Sequence, residues 1–292
     1  MHLDVSGVWV AQAVHKDEAS YIPASKYPLI HNAVLQACDA LDGVKDGVLE
    51  DPTRCHFDPK VLECKGADGP SCLSSAQVEA ARKIYSGPAN PRTKAAIFPG
   101  LEPGSELGWS VKAGPQPDSI PIDMFKYVVF KDPSWDYRTL NFDSDVALAD
   151  KVDNGMTNAI NPNLKQFFGR EGKLLMYHGW SDQNIAPMNS VNYYTSVVKA
   201  LGGAANTADS MRLFMAPGMM HCRNGDGPNS FDAVSLMDRW FEEGKVPDRM
   251  IASHSTGGKV DRTRPLCPYP QVASYKGSGS TDDAANFVCK AP

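Results

Sequence analysis

Apolar positions along the chain fall into two regimes that meet near residue 170. In the first, helix-spaced apolar residues come in short stretches broken by turn formers. Leu29, Ala33, Val34 and Ala37 lie on one helix face, and Ser25 can cap that helix. Val78, Ala81 and Ile84 repeat the pattern behind Ser74 and Gln77, whose spacing is that of a capping box. Between residues 87 and 120, prolines and glycines prevent any long regular element.

In the second regime strands alternate with helices. Lys173–His178 is a short apolar run expected of a buried strand, and Pro187 sits where a helix accepts proline, in its first turn. That helix runs to Gly202 and Gly203. Met211–Met215 reads as a second strand. Ser230 caps a helix carrying Ala233, Leu236, Met237, Trp240 and Phe241 and closed by Gly244, and Met250–His254 is a third strand. This order predicts an α/β fold, a parallel sheet covered by helices. The expected domains are a loop-rich 1–170 and an α/β 171–292, without internal repeats.

A chain of 292 residues holds one large domain or two modest ones. Its net charge of −5, with no basic stripe, argues against a nucleic-acid partner. No segment approaches the roughly 18 apolar residues of a membrane span, and the start lacks the regions of a signal peptide. Six of the seven cysteines fall into local pairs, Cys38 with Cys55, Cys64 with Cys72 and Cys267 with Cys289. Disulfides at these pairs imply an oxidising compartment, hence a secreted or periplasmic parent protein. Such a chain without an export signal is expected to have lost its natural N-terminus. Cys222 has no local partner, which makes it a free thiol or one bonded outside the chain.

Asp182 and His221 each lie just past the end of an expected strand, where functional groups of open parallel sheets gather. Acid before histidine is also the chain order of α/β-hydrolases. There the carboxylate orients the imidazole, which takes the nucleophile's proton. The competing reading has Asp182 capping a helix and His221 packing in a loop. No Gly-x-Ser-x-Gly occurs in the chain, and Ser181, Ser255 and Ser278 each miss the required setting.

Asp39, Asp42 and Asp46 cluster between two Asp-Gly turns. They read either as a solvated acidic loop or as a structural Ca²⁺ site, with the carbonyls of Val44 and Val48 completing the shell. The flanking Cys38 and Cys55 favour the metal. Trp109, Phe125 and Tyr127 are either walls of an aromatic pocket or local core.

Four segments carry a resemblance to a known family: Cys38-Asp-Ala-Leu-Asp-Gly-Val-Lys-Asp-Gly-Val48, Tyr177-His-Gly-Trp-Ser-Asp182, Pro217-Gly-Met-Met-His-Cys222 and Arg264-Pro-Leu-Cys-Pro-Tyr-Pro270. In this order they resemble the tannase and feruloyl esterase family over essentially the whole chain. The resemblance implies the C-terminal part of an α/β-hydrolase core with a large, calcium-binding lid. It implies Asp182 as triad acid, His221 as base, and Asp39, Asp42, Val44, Asp46 and Val48 as ligands of a structural Ca²⁺. It matches Cys222 to a cysteine that bonds another placed just before the catalytic serine. The family's Gly-Cys-Ser-x-Gly segment precedes the matching region, so an N-terminal half carrying Cys-Ser is the implied partner. The expected activity is hydrolysis of small aromatic esters, feruloyl, galloyl or related. The rival expectation is a non-catalytic, calcium-stabilised chain that binds an aromatic ligand or a partner.

Overall fold

The computed structural model describes residues 1–292. Two compact units interleave along the sequence. The first comprises 1–34, 57–160 and 183–189, and the second 35–56, 161–182 and 190–292. Residues 35–56 therefore cluster with the second unit, although the sequence pattern groups them with the first 170.

The first unit is helical: α1 (His2–Val14), α2 (Tyr27–Cys38, beginning in this unit), α3 (Ser75–Ser86), the short α4 (Ser110–Ala113) and α5 (Ser119–Asp123), and α6 (Ser144–Asp153). The expected capping box starts α3, with the Gln77 amide donating to Ser74 Oγ and the Ser74 amide to Gln77 Oε1, both at 3.1 Å. Ser25, expected as a cap, lies instead inside a 3₁₀ turn, Ala24–Lys26, ahead of α2. Helix α1 has no counterpart among the expected elements. Val5, Val8, Val10, Ala11 and Val14 bury it between two apolar clusters. Trp109 is fully buried, edge-on to Tyr27 and Tyr85, and its Nε1 donates to Ser105 Oγ at 3.0 Å. It is core and presents no surface to a ligand. Phe125 is likewise buried, while Tyr127 is exposed.

The second unit is α/β: α7 (Lys165–Phe168), β1 (Leu174–Gly179), α8 (Met188–Ala200), β2 (Met211–Ala216), α9 (Ala233–Glu243), β3 (Met250–Thr256), β4 (Lys259–Leu266), β5 (Val272–Tyr275) and β6 (Phe287–Lys290). β1 and β2 pair in parallel, Leu174 opposite Met211 and Gly179 opposite Ala216, with α8 as the crossover. The strand expected at 250–254 does not join that sheet. As β3 it forms an antiparallel hairpin with β4, and β5 pairs antiparallel with β6. The cause is local: Gly257 and Gly258 both take positive φ, +58° and +80°, as a tight two-residue hairpin turn requires. Helix α9 starts two residues later than expected of Ser230. Asp232 caps it through the Ser235 amide at 2.9 Å, and Ser230 bridges to Ser253 instead. Trp240 of α9 is buried, but Phe241 faces outward, 65% exposed. All three expected disulfides form, and Cys222 is free and exposed. No helix is long and apolar enough to cross a membrane.

Candidate active site

Two loops that follow parallel neighbours, β1 and β2, meet because a glycine lets them. A side chain at Gly179 would place its Cβ 2.1 Å from the Met219 carbonyl oxygen, so only glycine admits this approach. Backbone bonds then fasten loop to loop: Trp180 N–H to Ala216 O at 2.9 Å, and Ser181 N–H to Met219 O at 3.0 Å. The second loop turns at Gly218, whose φ of +68° few other residues adopt. Cys222, with φ +61°, sits in the same unusual region.

This framework puts His221 Nδ1 2.8 Å from Asp182 Oδ2 across a sequence separation of 39 residues. Asp182 is buried, at 3% exposure, while the His221 side chain is 36% exposed. A buried carboxylate beneath a half-open imidazole assigns the proton to Nδ1 and leaves the Nε2 lone pair as the basic site. The arrangement suits a general base that takes a proton from a hydroxyl and returns it to a leaving group. Sequence reasoning named both residues but not His178, the residue before Gly179. Its Nε2 lies 3.1 Å from the same Asp182 Oδ2, and its Nδ1 lies 2.7 Å from Ser190 Oγ. Its place at the C-terminal end of a strand could have flagged it. Ser181 is buried.

The acidic loop lies in the same unit and folds around its own amides. Asp39 accepts from the Asp46 and Gly47 amides, Asp42 from Val44 and Glu50, and Asp46 from Val48. Asp46 also pairs with Arg264. Glu50, not named from sequence, joins them. It is 8% exposed, and its Oε1 accepts from the Ala273 amide at 2.7 Å. Burial raises the Glu50 carboxyl to about 8, partly offset by that amide and by Arg264. Burial likewise raises Asp42 to about 6, against the bonds from Val44 and Glu50. Both line a cavity of ≈ 140 Å³. A Ca²⁺ ion bound among such hard oxygen donors would relieve the burial of their charged forms. Cys64, Asp68 and Cys72 also come together, but both sulfurs are committed to a disulfide.

The sequence model of a family described as tannase and feruloyl esterase matches residues 1–290. An uncharacterized esterase of Xanthomonas campestris pv. campestris is 35% identical over 99% of this chain, which spans 58% of that protein. A probable feruloyl esterase B of Emericella nidulans is 32% identical over 93% of the chain, which covers 55% of it. The crystal structure of feruloyl esterase B from Aspergillus oryzae superposes with a TM-score of 0.90 at 29% identity, over 99% of this chain and 62% of that one. The chain thus spans little more than half the length of these relatives.

Proposed function

Because the chain belongs to the tannase and feruloyl esterase family, we propose that it carries the acid and the base of a serine-type carboxylic ester hydrolase. The observation that carries this reading is the 2.8 Å bond between His221 Nδ1 and the buried Asp182. The names of the feruloyl esterases it resembles support aromatic acyl esters as the substrate class. With no Gly-x-Ser-x-Gly of its own, the chain takes its nucleophile and oxyanion hole from sequence that the longer relatives carry. Cys222 bonds the cysteine beside that serine and so holds the nucleophile against His221. The C-terminal α/β unit is the hydrolase portion, and the rest of the chain acts as the lid that sets which acyl group fits.

In the reaction, His221 Nε2 takes the proton of the serine hydroxyl as its oxygen attacks the ester carbonyl. Asp182 stabilises the imidazolium that results. The proton then passes to the departing alcohol, leaving an acyl-serine. Water repeats the sequence with His221 again as base and releases the carboxylic acid. Asp39, Asp42 and Asp46, with the carbonyls of Val44 and Val48, hold a structural Ca²⁺ that neutralises the buried carboxylates of the loop. Three disulfides support an oxidising, extracellular setting.

The test is assembly. The chain, co-produced with the part of the Xanthomonas campestris relative that lies outside the match, is expected to hydrolyse methyl ferulate faster than methyl butyrate. A stable co-purified assembly that turns over neither ester would contradict the reading.

A further inference from the structure

His178 occupies the penultimate position of β1, and its side chain is 11% exposed. Its two ring nitrogens are both engaged, Nε2 by Asp182 Oδ2 at 3.1 Å and Nδ1 by Ser190 Oγ at 2.7 Å in the first turn of α8. An ionised carboxylate only accepts hydrogen bonds, so in the neutral ring Nε2 carries the proton. The Nδ1 lone pair then receives the Ser190 hydroxyl. With both nitrogens committed, His178 has no basic site to offer a nucleophile and is not a second base.

From this geometry we infer that His178 is a positioning residue for the esterase, acting on His221 through Asp182. The inference rests on the Asp182–His221 reading above. Rotation of a carboxylate about its last side-chain torsion is soft. Each N–H that reaches Asp182 Oδ2 narrows that rotation. Here two imidazole N–H groups converge on one oxygen, at 2.8 Å and 3.1 Å, and each restricts the other's partner. Ser190 completes the device by fixing the ring plane and tautomer of His178 from a helix rather than from a loop. Ordered outer partners of this kind orient imidazoles elsewhere, as carboxylates do for metal-bound histidines. The chain runs Ser190, His178, Asp182, His221, and only the last member reaches the reacting atoms.

The inference is tested on the chain itself by proton NMR of the His221 Nδ1–H, a low-field resonance assigned by its disappearance in His221→Ala. It is expected in the unaltered chain and in His178→Gln, whose amide can donate from the place of Nε2. In His178→Ala it is expected to be lost to exchange with water, while the amide spectrum shows the fold retained. Ser190→Ala, which removes only a hydroxyl, is expected to broaden the same resonance, and it decides the matter should His178→Ala not fold. Persistence of a sharp resonance in both alanine variants would overturn the positioning role alone. Its absence from the unaltered chain would overturn the Asp182–His221 pairing and this inference with it.

Discussion

Asp182→Asn in the assembled enzyme is expected to lower kcat for methyl ferulate by about 10,000-fold with little change in KM. The amide that replaces the carboxylate can present an N–H to His221 Nδ1, now 2.8 Å from Asp182 Oδ2. That drives the imidazole proton to Nε2 and removes the lone pair the serine needs. It also leaves the imidazolium without the carboxylate that compensates its charge. His221→Ala is expected to cost more, on the order of a million-fold, because the base itself is gone. The change falls on the proton-transfer pair rather than on a group assigned to substrate binding, which is why the loss belongs in kcat. A drop of less than tenfold in Asp182→Asn would mean that His221 takes its orientation and charge compensation from another group.

Calcium is expected to raise the melting temperature of the chain by about 5–10 °C at a concentration of about 100 times its dissociation constant. A ligand that binds only the folded state stabilises by about 2.7 kcal/mol at that ratio, and a unit of this size gains roughly 2–4 °C per kcal/mol. The structural ground is the surplus of buried carboxylate over cation in the loop. Arg264 pairs with Asp46, yet burial still holds Asp42 at about 6 and Glu50 at about 8. Asp42→Ala is expected to abolish the rise, since it removes both a charge and the oxygens that close the turn on Val44 and Glu50. Calorimetry decides: superimposable melts in calcium and in EGTA would leave Arg264 and Arg262, both paired with Asp46, as the counter-charge the loop requires.

The elements legible in the sequence are those whose cause is local. β1 and β2 show themselves as short apolar runs, α3 by its Ser74–Gln77 box, and the disulfides by cysteines 8 to 22 residues apart. Asp182 and His221 were legible because each follows such a strand, and Cys222 because it alone lacked a neighbour. What the sequence hides depends on distant partners. Helix α1 lacks a polar stripe to betray its period, being covered by apolar clusters along much of its length. β4 begins Lys-Val-Asp-Arg-Thr-Arg, too polar to read as a strand until β3 and the Gly257–Gly258 turn are seen with it. Glu50 becomes a buried carboxylate through the Ala273 amide, 223 residues away. Whether Trp109 is pocket wall or core stays open in the sequence because a loop-rich segment gives no sign of how deeply its aromatics pack.

The central claim is that His221 activates a serine that this chain does not contain, held in place through Cys222. The most direct measurement is fluorophosphonate labelling of the assembled protein, with the labelled peptide identified under non-reducing conditions. The account predicts one labelled serine, on the co-produced segment, in a peptide disulfide-linked to the one containing Cys222, and labelling that collapses in His221→Ala. A label on a serine of this chain, or labelling indifferent to His221→Ala, would contradict it.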